Sequence, residues 1–370
     1  MRRYLRQYHV ELETIGPVHI GSGEAIRKNE WILDWRRKEA VVPEPRAMLE
    51  VLSQKGLLEQ YEAYMMQTRP EPLLKWLEKQ GLQRDIGRFT KYTLDISGVD
   101  FRKQNVRDMK LTIKDAYGMP YIPGSSLKGA LRNVLLAKKI SDEGWDDRKV
   151  VEEINSFRNS FRGNRVRYLK SEAERLETEF LYTKGLYKKA GHAVNDMMSG
   201  LRVGDSNSAG LDCLTLCQKI DMRKNGTESK PLLVRECIRP GTRFCFALTI
   251  DTTETDMTIE YIRTAVREFL DDYNEMFLKE FRDEELYREN VIYLGGGVGF
   301  PSKTVLNQVL AARRNRVELV GKSIDNTLSN KMKRHSRDKA LGVSPSVAKL
   351  TEANGTLMQM GPCRIDIEPV

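Results

Sequence analysis

Ile122–Arg132 reads IPGSSLKGALR, and it marks where an extended stretch turns into a helix. Pro123 and Gly124 break the preceding chain, and Ser125 or Ser126 is a candidate N-cap. Leu127, Ala130, Leu131, Val134 and Leu135 then fall at the i, i+3, i+4, i+7, i+8 spacing of a buried helical stripe. Immediately upstream, Asp108–Ile113 and MPYIPG (Met119–Gly124) read as strands. Further out, YHVELETIGPVHIGSG (Tyr8–Gly23) alternates as a strand and ends in a glycine loop. WILDW and AVVPEP add one or two more strands. From about 46 to 84 the spacing turns helical, which makes 46–90 a helical insertion between strands. Residues 141–200 are polar and charge-rich, a second, mobile or helical insertion. Strand signals return in LRVGDS, LDCLTLCQKI and LLVRECIRPGTRFCFALTID. A helix then carries Ile262, Val266, Phe269, Tyr273 and Phe277, and VIYL leads into GGGVGF with a helix expected from about Ser302. The interleaving lacks the regular spacing of a doubly wound sheet, so the expected class is α+β, with two small sheet-and-helix units.

Composition narrows the partners. The 370 residues suffice for two ordinary domains, and 61 Lys plus Arg against 52 Asp plus Glu leave a net charge of +9. That excess points to an anionic partner. No run of about 18 apolar residues offers a membrane span, and the N-terminus turns polar before a signal-peptide core forms, so a cytosolic, membrane-free protein is expected. Five scattered cysteines argue against a disulfide framework. Cys213 and Cys217 are expected on one side of a strand. Without a CxxC pair or a spaced histidine pair they read as buried structural thiols, and no metal or cofactor is expected.

Three glycine loops carry the chemistry. In PGSSLKGALR, backbone amides and hydroxyls converge at the positive end of a helix dipole, which suits a phosphate. Lys128 and Arg132 share one stripe there, with Lys139 near it; an ordinary capped helix with solvated charges is the plain alternative. Ser125-x-x-Lys128 also matches a serine-acylase motif, whose companion elements are absent. GGGVGFPSKT (Gly295–Thr304) fails as a Walker loop because Ser302 stands where glycine is required. It fails as a dinucleotide fingerprint at Phe300. What remains is a glycine run that lets backbone approach a phosphate, with Lys303 beside it, or else a tight strand-to-helix turn. HIGSG (His19–Gly23) is the third loop, and its histidine is a general base, a stacking partner or neither. Two basic stretches accompany the loops. Residues 154–170 hold Arg158, Arg162, Arg165, Arg167 and Lys170 with no acid, and Arg313–Lys339 holds nine cations against three acids.

In combination and in order, HIGSG, IPGSSLKGALR, LRVGDS and GGGVGFPSKT resemble the RAMP superfamily of CRISPR proteins. The order and the C-terminal RHSRDKALGVSPSVAKLT (Arg334–Thr351) and GPCRIDI (Gly361–Ile367) are similar to the fifth-subunit family of the type III-A (Csm) effector. The likeness spans nearly the whole chain and is least in the two insertions. It implies two RRM-like, ferredoxin-type βαββαβ units, here residues 1–235 with the insertions and 236–370 with the glycine-rich loop. It implies a role in antiviral defence: binding CRISPR RNA, capping its 3′ end, supporting its maturation, and contacting other Csm subunits, above all the repeated backbone subunit. A recruited host nuclease is a further expected partner. Carried over residue by residue, the RNA contacts are Gly21, Gly23, Ser125, Ser126, Lys128, Arg132, Gly295, Gly296, Gly297, Gly299 and Lys303; the acid-free stretch adds Arg165 and Arg167. The aspartate with which backbone subunits cut target RNA has no counterpart recognised here, so no catalytic residue is expected. The rival reading is a metal-independent endoribonuclease with His19 as base and Lys128 steadying the phosphorane.

Overall fold

Alternation decides the first strand. In the computed structural model, β1 (Leu5–Thr14) turns Tyr8, Val10, Leu12 and Thr14 inward and Gln7, His9, Glu11 and Glu13 outward. The structure describes residues 4–100, 108–157, 168–231, 233–281, 286–328, 334–353 and 355–370. After β1 come β2 (Gly21–Arg27), β3 (Ile32–Asp34) and β4 (Glu39–Pro43). Helices α1 (Pro45–Gln54), α2 (Leu58–Met65) and α3 (Leu73–Lys79) lead to β5 (Thr90–Asp95) and β6 (Asp108–Thr112). The central helix α4 (Gly124–Glu143) follows, then α5 (Arg148–Ser156), α6 (Lys170–Phe180) and β7 (Leu201–Val203). Next are β8 (Leu214–Gln218), β9 (Ile220–Arg223), β10 (Glu228–Ser229), β11 (Val234–Ile238) and β12 (Arg243–Asp251). The last part holds α7 (Ile259–Met276), β13 (Val291–Tyr293), α8 (Leu306–Val309), α9 (Arg316–Thr327), α10 (Asp338–Leu341), β14 (Val347–Ala353), β15 (Thr356–Gln359) and β16 (Pro362–Pro369).

The architecture is mixed α+β, in three sheets. The five-stranded sheet runs β13-β16-β1-β12-β7, with β1 antiparallel to both neighbours: Val10 lies opposite Phe246 and Ile367, Leu12 opposite Phe244 and Ile365. These inward residues join Leu127, Leu131, Val134 and Leu135 of α4 and Ile262, Val266 and Phe269 of α7 in one core. A seven-stranded sheet runs β2-β6-β11-β8-β5-β4-β3, and a four-stranded one β10-β9-β14-β15. The helices between β4 and β5 carry their own small core around Met48, Leu52, Tyr64, Leu73, Trp76 and Phe89, beside Ile32 and Val41 of the sheet.

Four expectations change. The expected boundary at 235/236 falls between β11 and β12, yet β1 on one side is hydrogen-bonded along its length to β12 and β16 on the other. MPYIPG forms only an isolated bridge, Lys114 to Pro120, because Tyr117 and Gly118 turn the chain. Cys213 ends a 3-10 turn, and the strand starts at Leu214, so Cys213 and Cys217 do not line one strand. The helix expected at Ser302 begins only at Leu306. Pro301, Ser302 and Lys303 are held in a turn, with the Ser302 hydroxyl donating to the Val298 carbonyl at 3.1 Å. Among the described residues no helix is long and apolar enough to cross a membrane.

Candidate nucleic-acid interface

The turn out of β1 delivers His19 into the protein rather than onto its surface. Only 5% of the residue is exposed, and Nδ1–H donates to the Glu236 carbonyl at 2.8 Å. A carbonyl only accepts, so the proton sits on Nδ1 and Nε2 is left as an acceptor beside Gly21. Burial first, then the Arg235 and Lys110 charges, pull the imidazole down to about 4 against the raising effect of the Glu236 bond. His19 is therefore neutral at pH 7. Glu236 itself is fully buried and accepts from Tyr92 Oη at 2.6 Å, Thr112 N at 3.0 Å and Lys114 Nζ at 2.5 Å.

Two of the three glycine loops meet at this histidine. Gly296 N–H donates to the His19 carbonyl at 2.7 Å, and a Cβ on Gly295 would lie 2.3 Å from that oxygen. Gly295 thus packs too closely on the His19 carbonyl for a side chain, and the Gly296 amide is taken up inside the protein. Further along, Gly297 (φ +95°) and Gly299 (φ +96°) adopt left-handed backbone that favours glycine. A Cβ at Gly297 would stand 2.8 Å from Met360 Sδ and 3.4 Å from Arg235 Nη1; one at Gly299 would stand 3.4 Å from the Lys349 side chain. Gly21 and Gly23 are exposed in β2, and Gly23 (φ +89°) has open space where a Cβ would be.

The charge beneath this loop is cationic. Arg235 on β11 is in register with Lys110 on β6, so both project on one side of the seven-stranded sheet. The Arg235 Nη1 is buried with no hydrogen-bond partner, and Lys303 is exposed, its pKa lowered by partial burial and by Arg235. Among the described residues no carboxylate pairs with Arg235, Lys110 or Lys303. Lys349 differs: its Nζ sits 2.7 Å from Asp221. Sequence reading missed Arg235 and Lys110, since isolated cations on strands carry no local motif. Only the register unites them.

The third loop is closed by the protein itself. Helix α4 begins at Gly124 with Pro123 as N-cap, so Ser125 and Ser126 lie too late to cap it. The Gly124 amide donates to Asp205 Oδ1 at 2.7 Å, and a Cβ there would lie 2.4 Å from the Val203 and Gly204 carbonyls. LRVGDS is thus the partner of this helix start. Ser125 stays exposed and Ser126 and Lys128 are half-buried, with burial lowering the Lys128 pKa. Arg132, half-buried, has its guanidinium paired within the protein. Its Nη1 bonds Asp196 and its Nη2 bonds Glu177, each at 2.8 Å, which clamps α4 to α6. Arg165 and Arg167 lie outside the described residues. The C-terminal basic tract is partly engaged as well: Arg313 pairs with Asp147, Lys322 with Asn155 and Lys339 with Glu318. Among the described residues no group of three or more His, Cys, Asp or Glu side chains could hold a metal.

Comparison with known proteins places this geometry in a family. The RAMP superfamily profile matches residues 11–300. The CRISPR system Cms protein Csm5 of Streptococcus thermophilus is 30% identical over 366 residues, covering 95% of this chain and 90% of that protein. Csm5 of Mycobacterium tuberculosis (strain CDC 1551 / Oshkosh) is 26% identical, covering 99% of each. In fold, the chain is similar to one in the cryo-EM structure of a Csm–crRNA–target RNA ternary complex of a type III-A CRISPR-Cas system. There the TM-score is 0.69 and the identity 20%, over 97% of this chain and 100% of that one. The crystal structure of T. onnurineus Csm5 gives a TM-score of 0.61 at 19% identity, over 96% and 99%. By profile and by sequence, this chain belongs to the RAMP superfamily and, within it, to the Csm5 family of CRISPR proteins.

Proposed function

We propose that this chain is a non-catalytic RNA-gripping subunit of a type III-A Csm effector, seated at the 3′ end of the CRISPR RNA on the last copy of the repeated backbone subunit. The observation that carries the reading is the convergence of the Gly297–Gly299 backbone with three cations, Arg235, Lys110 and Lys303, that no carboxylate among the described residues neutralises. Buried guanidinium donors and positive-φ backbone suit phosphate oxygens. Gly21, Gly23, Ser125 and Lys128 extend the expected contact surface; Arg132 leaves it. A subunit of this kind grips a short stretch of RNA while neighbouring subunits grip the rest, and a trimming nuclease of the host would finish the exposed 3′ end.

The RRM-like reading finds support in the path β1-α4-β7-β12-α7-β16. Its strands lie in the order β16-β1-β12-β7, the 4-1-3-2 order of a ferredoxin-type βαββαβ unit. We assign the second unit to the remaining sheets, with 46–90 and 141–200 as insertions. The endoribonuclease alternative needs a base that reaches the scissile phosphate. A neutral His19 with its Nδ1–H engaged and its ring buried is poorly placed for that.

The test is the assembled complex with Arg235→Ala and Lys303→Ala together. Because phosphate contacts act electrostatically, RNA affinity of the wild-type chain is expected to fall tenfold or more between about 50 and 200 mM salt, and less steeply in the variant. RNA bound to the variant complex should carry heterogeneous 3′ ends and intact 5′ ends. Altered 5′ ends with unchanged 3′ ends would place the subunit at the opposite end, and specific cleavage abolished by His19→Ala would establish the enzyme.

A further inference from the structure

The hairpin between β3 and β4 ends in Trp35-Arg36-Arg37-Lys38, three consecutive cations beside an aromatic ring. Its shape is built rather than loose. Asp34 Oδ1 accepts the amides of Arg36 at 3.0 Å and Arg37 at 3.1 Å, and Lys38 closes the turn with φ +56°. Trp35 is 66% exposed, with the Arg36 guanidinium 5.5 Å from the ring centroid on one side. The indole accordingly has a cation near it and an open surface, and Arg37 and Lys38 are exposed as well. The acid at the tip, Asp34, is already engaged by the turn and by Arg37 at 3.8 Å.

We propose that this hairpin tip is a second contact for single-stranded RNA, in which Trp35 stacks on an unpaired base and Arg36, Arg37 and Lys38 hold its flanking phosphates. The proposal rests on the RNA-gripping reading above and extends it to a separate place. An aromatic ring among cations is the combination that binds single strands without sequence preference. The outward positions of β1 (Gln7, His9, Glu11 and Glu13) offer no large aromatic ring, so the open face of that strand is no platform for a run of bases. The tip also lies in reach of the glycine-loop site. β3 is the edge strand of the seven-stranded sheet, four strands from Arg235 on β11, or about 19 Å at normal strand spacing. A strand of several nucleotides held at Arg235 can extend to Trp35. Sequence readout is absent from the set, since cations and a stacking ring accept any base.

The experiment uses the full chain with labelled oligouridines of about 4 and 12 nucleotides, bracketing the footprint of a small single-strand module. Trp35→Ala and the double variant Arg36→Ala/Arg37→Ala should each weaken the 12-mer about tenfold and leave the 4-mer unchanged. Trp35→Phe should restore most of the loss. Arg235→Ala should weaken both lengths. Trp31 and Trp76 are buried, and Trp145 is half-buried with the Arg175 guanidinium 4.5 Å from its ring centroid. The fluorescence that iodide quenches in wild type but not in Trp35→Phe therefore comes from Trp35, and the 12-mer should protect it. Equal 12-mer affinity in wild type and Trp35→Ala, with Arg235→Ala still weakening both, overturns this proposal and leaves the glycine-loop site standing. Unchanged RNA affinity together with loss of assembly into the complex makes the tip a protein-docking element and overturns it too. A wild-type chain that binds neither oligonucleotide sinks both readings.

Discussion

His19 gives its single N–H to the Glu236 carbonyl while Arg235 and Lys110 stand near its ring. The residue that looked most like a catalytic base is a neutral strut between the two glycine loops. Its titration has a readable consequence. Held near 4 in the fold, against about 6.5 in an unfolded chain, it stays neutral where the unfolded state takes a proton. The contribution of His19 to stability is level above about pH 6.5 and is lost as pH falls towards 4, by roughly 3 kcal/mol at the bottom of the window. His19→Asn retains a donor for Glu236 and removes the titration. Urea midpoints at about pH 4.5 and 7.5 should therefore differ less in His19→Asn than in wild type; equal differences would show that the imidazole is protonated in the fold.

At the scale of the element, the glycine loops were legible as glycine loops, and their partners were not. Positive φ at Gly297 and at Gly23 rests on the same backbone physics, but the surroundings differ. A methyl group at Gly23 meets nothing within 4 Å, whereas at Gly297 it meets Met360 Sδ at 2.8 Å. Gly23→Ala is expected to cost about 1 kcal/mol, from backbone strain alone. Gly297→Ala is expected to cost roughly 2–3 kcal/mol and to weaken RNA binding, because the loop must shift off Met360 and Arg235. Chemical denaturation of both variants, with RNA affinity measured beside it, checks the contrast. Equal costs would mean that Met360 moves aside freely. The α4 start shows the same limit: amphipathic spacing predicts the helix, but its first amide is satisfied by Asp205, 81 residues on.

For the whole molecule, the decisive fact is that β1 lies between β12 and β16. A cut at 235 separates β1 from both of its neighbours. A fragment of residues 1–235 would leave Val10 and Leu12 without Phe244, Phe246, Ile365 and Ile367, and would expose both edges of β1. It is expected to be insoluble or unfolded alone, as is 236–370, and co-expression of the two should recover a folded pair. Circular dichroism and sedimentation of the separate fragments decide this; a cooperative melt of 1–235 by itself would restore the two-domain division.

Local physics determined the amphipathic spacing of α4 and α7, the alternation of β1, the glycine turns and the cationic excess, while the order of four motifs carried the resemblance to the superfamily. Each of these is read along the chain without knowing which distant residues meet. Which cations lack acids, which glycines pack against the protein, and which strands share a sheet were decided by contacts between residues such as Gly296 and His19, Arg235 and Lys110, or Leu12 and Ile365. Hydrogen-bond ladders and ion pairs form between groups that the chain brings together only on folding, so their pairing has no signature in the spacing of either partner.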